Sequence, residues 1–391
     1  MFDVVVIGAG ITGSYTAREL ARLGHSVAVV ERHPEPGYKT SCTGIISRAC
    51  LDMLPGSSSA IQREARSATV FSPAGNHVRI EREGTQAYIL DRPSLDRLVA
   101  EQAAQMGVEY FFSTPATSLR SGDRGVHIKA EQGSRPLELS ARACVIACGT
   151  APGLIKQIGL GSIREFAHGA QAEVTCRNTD EVEVYSGKHM APGFFAWLAP
   201  TVPGKAKAGL LSNRNPGRAI ASFLKYLESR GKILPVAQGI SFGSIPLKPL
   251  ARTYSQRTLI VGDAAGQAKP TTGGGIYFGL LCAETAVRTL DESLKGDDLS
   301  GKRLALYQKR WHKILKHELA IDYWAHRFYQ SLTDKQVEHI FQVILRHGIH
   351  ESLLTSPDIT FDWHGKVILD AIKHRSLQRS LEKFKLFQPP S

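Results

Sequence analysis

Val4-Val5-Val6-Ile7-Gly8-Ala9-Gly10-Ile11-Thr12-Gly13, close to the start of a 391-residue chain, decides the fold. Four apolar residues in a row suit a strand buried on both faces. After Gly13 a helical stretch runs to Leu23, Gly24 closes it, and residues 26–30 read as a second strand ending in Glu31. Strand, glycine turn, helix and strand in this order predict a β-α-β unit that binds a dinucleotide. Gly8 permits the tight turn, Gly10 lets the backbone approach a diphosphate, and Gly13 lets helix and strand pack closely. The diphosphate then meets free N–H groups at the helix N-terminus. Glu31, 18 residues beyond Gly13, stands near the spacing expected of a carboxylate that accepts from a ribose diol. This unit alone does not separate FAD from NAD.

A second motif does. Residues 258–261 form another buried strand, followed by Gly262-Asp263-Ala264-Ala265-Gly266. Lys269-Pro270-Thr271-Thr272-Gly273-Gly274-Gly275-Ile276 comes next, then a helical run from Tyr277 to about Leu290. A strand ending in Gly-Asp sets a carboxylate at the sheet edge where ligands bind in open α/β folds. Asp263 is expected to accept hydrogen bonds from a ribityl chain. Three glycines let the backbone lie against a flat ring, and the helix start behind them favours the negative charge of a reduced flavin. The expected cofactor is FAD. Gly8, Gly10, Thr12, Gly13, Glu31 and Arg32 would hold one half, and Gly262, Asp263, Gly274, Gly275 and Ile276 the other.

The stretch from Gly262 to Tyr277 resembles the signature of the geranylgeranyl reductase family, within the flavoproteins shaped like p-hydroxybenzoate hydroxylase. The hydroxylases usually place a histidine after Gly-Asp-Ala-Ala; Gly266 here favours the reductase branch. Ser41-Cys42-Thr43-Gly44-Ile45-Ile46-Ser47 is similar to the family loop in which a cysteine approaches the flavin, which implies cofactor contacts for Cys42, Thr43 and Ile45. Asp91-Arg92-Pro93-Ser94-Leu95-Asp96 resembles the family helix start, implying that Arg92 reaches the cofactor and that Ala116 lies over its adenine part. Phe194-Phe195-Ala196-Trp197-Leu198-Ala199-Pro200 looks like its aromatic strand, and Ile245-Pro246-Leu247-Lys248-Pro249 matches the approach to Gly-Asp. Cys148 departs from the family, which usually has an aspartate there. The resemblance covers residues 1 to about 290.

The same resemblance implies the chemistry: reduction of isolated C=C bonds in a geranylgeranyl or other polyprenyl lipid, with hydride from N5 of reduced flavin. Phe195, Trp197, Tyr277 and Phe278 are the substrate-side candidates, since apolar pockets favour aromatic lining; a core role is the alternative for each. Cys42 and Tyr277 are the catalytic candidates. Cys42 could gate the flavin, donate a proton, form a redox-sensitive bond or simply pack. Two other activities stay open on this fold, a flavin monooxygenase and an electron-transfer flavoprotein that reduces a quinone.

The expected architecture is α/β, α+β overall: a Rossmann-type FAD-binding domain, an inserted antiparallel β-sheet substrate domain and a C-terminal helical region. The flavoprotein class implies that residues 1–60, 85–160 and 250–295 build the FAD domain. Residues 61–84 and 161–249 alternate apolar and polar positions and would form the substrate sheet. Residues 296–391 read as helical, with Leu304, Tyr307, Trp311, Leu315 and Leu319 on one face and a tail-like stretch at 388–391.

Composition is that of an ordinary globular protein, 42% hydrophobic and 21% charged. No run of 18 apolar residues and no signal peptide is visible, so the expected location is the cytoplasm, with the inner membrane face as a possible docking surface. Cys42, Cys50, Cys144, Cys148, Cys176 and Cys282 have neither disulfide nor zinc spacing, and no metal is expected. Net charge is +12, and half of the excess lies beyond residue 300, with 15 Lys or Arg against 9 Asp or Glu. Such a surface favours acidic partners: a ferredoxin-like electron donor, or anionic membrane under basic amphipathic helices. NADPH is the other candidate donor, although only one complete dinucleotide fingerprint is present. No recognition motif points to nucleic acid.

Overall fold

Phe2–Ile7 is the middle of a mostly parallel sheet, flanked in register by Val27–Val30 on one side and by the end of Arg135–Ile146 on the other. In the computed structural model, residues 1–38, 40–133, 135–151, 153–177, 179–236, 239–354 and 360–382 are described, and the 388–391 stretch lies outside them. The uninterrupted apolar run of the first strand has a simple cause. Val4 and Val6 face one core with Leu20, Phe278 and Trp311, while Val5 and Ile7 face a second core with Ile128 and Leu139. Neither face meets water.

Glu109–Phe111 extends this sheet at one edge, Thr258–Ile260 at the other, and Tyr254–Ser255 closes that edge antiparallel. The first part of Arg135–Ile146 turns away to pair antiparallel with Val126–Gln132, which pairs with Ala116–Ser121. Helices Ile11–Arg22, Arg92–Gln105 and Ile276–Lys295 pack side by side on the sheet. The last of these continues past Leu290 to Lys295, one turn beyond the sequence expectation. The layout is the Rossmann-type α/β domain that the first motif predicts.

A second sheet runs Ile240–Pro246, Phe166–Thr175, Lys205–Ser212, Phe195–Pro200, Val182–Ser186, Ser67–Phe71, His77–Glu81. Its pairs are antiparallel with one exception: Val182–Ser186 runs parallel to Ser67–Phe71. The exception corrects a purely antiparallel expectation. Those two strands come from separate stretches of chain, so no hairpin constrains their direction. Ile61–Ala65 does not join this sheet; it pairs with Ala87–Leu90, which also takes Ile45–Ile46. Pro216–Ser229 covers the outer face, burying Ile220, Phe223 and Leu227 against Ala172, Leu198 and Leu210. The inner face looks back toward the first domain.

Gly301–Ser331 belongs to the same core rather than standing apart. Leu304, Tyr307, Trp311, Leu315 and Leu319 are all buried in it, as their spacing predicts. Tyr307 Oη donates to the Ile260 carbonyl (2.8 Å) and accepts from Gln267 Nε2 (2.8 Å), and Trp311 Nε1 donates to Thr253 Oγ1 (3.0 Å). Asp334–Arg346, Ile349–Leu354, Gly365–Lys373 and Arg375–Glu382 follow. Among the described residues no helix is long and apolar enough to cross a membrane.

Candidate active site

The two glycine motifs meet at the C-terminal edge of the parallel sheet, and each glycine there is required for a different reason. Gly8 has φ +110°, and a Cβ on it would lie 2.5 Å from the Ala147 carbonyl oxygen. A Cβ on Gly13 would lie 2.0 Å from the Gly8 oxygen, so helix and strand touch backbone to backbone. Gly10 is the opposite case: a Cβ there would meet nothing within 4 Å, because the position faces the cavity. Gly10 also starts Ile11–Arg22 with no side-chain cap, which leaves N–H groups open to an anion. Glu31 is buried at the edge of the turn. Its Oε2 accepts from Ala9 N–H (2.8 Å) and its Oε1 from His33 N–H (2.9 Å), so the carboxylate is held facing the site.

Thr12 joins the motifs. Its side chain lies where a Cβ on Gly262 (φ +66°) or Gly279 would approach within 3.2 and 2.7 Å. Asp263 then points into the cavity with no hydrogen-bond partner among the described residues, and burial pushes its carboxyl up to about 6 despite Arg92 nearby. The 269–275 turn closes on itself through Gly273 N–H to the Lys269 carbonyl (2.8 Å) and Lys269 N–H to the Gly274 carbonyl (3.1 Å). It delivers Gly274, Gly275 and Ile276 to the cavity, and Ile276–Lys295 begins there without a side-chain cap. Gly266 has φ +79° and sits where a Cβ would be 2.3 Å from the Lys248 oxygen, so a histidine has no room at this position.

The Cys42 loop is pinned from two sides. Lys207 Nζ donates to the carbonyls of Cys42 (3.3 Å) and Thr43 (3.2 Å), and Thr43 Oγ1 donates to Gln171 Oε1 (2.6 Å). Burial lowers the proton affinity of the Lys207 ammonium. Arg92 is buried, donates to Asp96 Oδ1 (2.8 Å) and faces the Cys42 thiol; its Nε has no partner. Cys42 therefore stands between two cations. Cys148 lines the cavity near Arg32 and Ala116, and burial pushes its thiol up to about 11, so it packs as a neutral group where the family carries a carboxylate.

Of the residues expected from sequence to hold the cofactor, every one except Gly13 lines one cavity of about 1120 Å³. Phe195 and Trp197 line it too. Trp197 lies flat across Gly209, where a Cβ would be 2.4 Å from its ring, and its buried Nε1 has no partner. Tyr277 and Phe278 do not reach it. They open Ile276–Lys295 packed into the protein interior rather than toward the cavity. Phe278 is fully buried in the first core, and Tyr277 stacks edge-on to Trp363 with ring centres 6.4 Å apart. Gln171, Arg66, Arg82 and Phe361 also line the cavity, and Lys207 stands behind the Cys42 loop; none of these carries a local sequence signal, whereas Lys269, also in the lining, belongs to the second motif.

These features fit FAD on their own geometry. An uncapped helix start beside an open Gly10 suits the diphosphate, Glu31 a ribose, and the unpartnered Asp263 carboxylate a row of hydroxyls. The family of FAD dependent oxidoreductases matches residues 3–85. Fold and site thus define an FAD-dependent oxidoreductase. The chain is 31% identical over 360 residues to digeranylgeranylglycerophospholipid reductase 2 of Methanothermobacter thermautotrophicus, covering 87% of this chain and 91% of that protein. It belongs to the digeranylgeranylglycerophospholipid reductase family. A geranylgeranyl bacteriochlorophyll reductase-like protein of Thermoplasma acidophilum superposes with a TM-score of 0.85 at 20% identity, covering 99% of both chains. A flavin-dependent brominase shares the fold at a TM-score of 0.70 and 16% identity, over 99% of this chain and 100% of that one.

Proposed function

We propose that this protein reduces C=C bonds of a polyprenyl chain carried on an anionic lipid head. The observation that supports this best is the floor of the cavity. Its lining draws on every strand of the seven-stranded sheet. At about 4.8 Å per strand that is roughly 29 Å, a length suited to a prenyl chain rather than to a single aromatic ring. Val182, Val184, Phe195, Trp197, Leu211 and Ile245 make the floor apolar, and the glycine turn stands at one end of it. At the other end Arg66 and Arg82 border the cavity, and Arg66 makes no ion pair among the described residues. Arg79, nearby in the same strand pair, is by contrast bound to Glu181 (2.9 Å). A phosphate headgroup is the complement of that end.

Reduced FAD supplies the hydride, from N5. The chain binds the lipid along the floor, excludes water through Trp197 and Phe195, and holds the Cys42 loop beside the ring by Arg92 and Lys207. The assignment gives Cys42 the position of proton donor and leaves Tyr277 and Phe278 as packing groups. Electrons come from a ferredoxin-like protein or NADPH, and the basic C-terminal helices rest on an anionic membrane surface. Retention on anionic vesicles at low salt checks that docking; a protein that stays in solution contradicts it. For the reaction, the holoenzyme is reduced anaerobically with dithionite and offered geranylgeranyl phospholipids and geranylgeranyl diphosphate. Mass spectrometry should show a gain of two hydrogens per double bond. Bleached flavin that reoxidises with no mass gain in any prenyl lipid overturns the proposal.

A further inference from the structure

Behind the 269–275 turn lies a buried set of charges that neither lines the apolar floor nor grips the cofactor's sugar chain. Lys269 is 3% exposed. Its Nζ donates to the carbonyls of Phe361 (3.2 Å) and Asp362 (3.4 Å) and lies 3.6 Å from the Asp362 carboxylate. A Cβ on Gly274 would be 2.7 Å from Lys269 Cε, so the lysine passes directly beneath the glycines. On its far side stands Asp322 of Gly301–Ser331, 0% exposed, with neither carboxylate oxygen in a well-formed hydrogen bond among the described residues; the Thr271 hydroxyl is the one neutral donor that faces it. The groups facing it are Glu318 on its own helix and Lys269 and Thr271 from the turn. From the segment packed over them, Asp362 faces Lys269, and His364 approaches Thr271 Oγ1 (3.5 Å).

The other members are already committed. Glu318 Oε1 accepts from the N–H groups of His364 (2.5 Å) and Gly365 (2.7 Å). Burial and Lys269 lower His364 to about 3, which keeps that ring neutral. Among the described residues of this cluster, Asp322 is the carboxylate whose two oxygens are both fully buried and without a well-formed hydrogen bond. A buried carboxylate so sparsely hydrogen-bonded is costly, and a neutral carboxyl much less so. Burial and Glu318 push Asp322 up to about 7.

We propose that Asp322 is a redox-linked proton site: it takes one proton from solvent when FAD at the glycine turn accepts two electrons, and returns it on reoxidation. No bond to carbon is made or broken at Asp322; its carboxylate becomes a carboxylic acid, and the donor supplies the electrons. The link is the Lys269 charge. With Asp322 ionised, it joins Asp362 and Glu318 in offsetting the ammonium beneath the turn; with Asp322 neutral, more positive potential reaches the place where reduction deposits negative charge. Coupling of this kind is reciprocal, so reduction must raise the proton affinity of Asp322 as protonation raises the reduction potential. The proposal needs FAD at this turn and is independent of which lipid is reduced.

The test is a spectroscopic redox titration of the holoenzyme with dithionite, from about pH 5.5 to about pH 9, a range that brackets the Asp322 value. The wild type should bind one more proton per two electrons around neutral pH than Asp322→Asn. The variant's potential should lie above the wild type at high pH and meet it at low pH. Asp263 also titrates in the site but is common to both proteins. Parallel potential–pH lines for the two proteins overturn the proposal. Lys269→Met is the second arm, and it decides if Asp322→Asn does not retain flavin. It should lower the potential and remove the extra proton; an unchanged potential overturns the link. A wild type that binds no FAD at all would contradict the cofactor instead.

Discussion

At Gly10 a methyl group would enter the cavity, whereas at Gly13 it would strike the Gly8 carbonyl at 2.0 Å. Two alanine substitutions three residues apart should therefore fail in different ways. Gly10→Ala should leave the apoprotein melting temperature within the small range of an N-cap change yet weaken FAD by about tenfold or more, because the backbone can no longer approach the diphosphate. Gly13→Ala should destabilise the apoprotein itself by about 1–3 kcal/mol. Thermal melts of flavin-free protein and fluorescence titration with FAD separate the two. Asp263 adds a pH signature. Its carboxyl, held up to about 6 in the free site, accepts from a row of hydroxyl donors most strongly when ionised. FAD affinity is then full above that value and falls as pH drops through it, whereas Asp263→Asn should bind weakly and with no such inflection. A flat wild-type profile across that range would contradict the role. These positions were legible in the sequence because turn chemistry is local: a glycine or a strand-end acid declares its task within a few residues. Lys207 was not, since its contacts with Cys42 and Thr43 join residues 165 and 164 positions apart.

Among the elements, Gly301–Ser331 shows how far periodicity reaches. Its five spaced apolar residues predicted a buried face, and all five are buried, but spacing could not say against what. The answer is polar as well as apolar: Tyr307 Oη bridges Gln267 and the Ile260 carbonyl beneath the second motif. Tyr307→Phe leaves both partners buried and unsatisfied, so it should cost about 1–3 kcal/mol, read as a lower denaturant midpoint with unchanged slope. Loss of the Asp263 segment's support should also speed flavin release, measured by dilution of the holoenzyme. Equal midpoints would show the bridge to be dispensable. The seven-stranded sheet marks the limit in the other direction. Alternation pointed to the two stretches that supply its strands, but the parallel pairing of Val182–Ser186 with Ser67–Phe71 depends on two distant segments meeting. For the same reason Tyr277, which looks adjacent to the flavin in sequence, turns away: a helix starting at Ile276 sends consecutive side chains about 100° apart, and the glycines, not the aromatic, face the site.

The whole molecule brings two arginines, an apolar floor and the glycine turn to the lining of one cavity, and no single segment carries that arrangement. The glycine turn comes from residues 269–275, the floor from both parts of the seven-stranded sheet, and the cationic end from Arg66 and Arg82. The family resemblance implied an apolar pocket, and nothing in the sequence pattern tied Arg66 or Arg82 to it; the fold brings them together. If the cationic end holds the lipid headgroup, it contributes to binding and not to the reaction, because it stands across the sheet from the turn. Arg66→Glu should then raise KM for a prenyl phosphate or phospholipid by about tenfold, the loss of one charge-assisted contact at a solvent-exposed site, and leave kcat unchanged. A neutral prenyl alcohol should lose nothing. The effect should shrink as salt is raised, since an exposed guanidinium is screened. Steady-state kinetics with the two lipids at low and high ionic strength distinguish this from a disturbed floor, which would raise KM for both. A fall in kcat with unchanged KM would place Arg66 in the chemistry and reverse the direction in which the lipid lies.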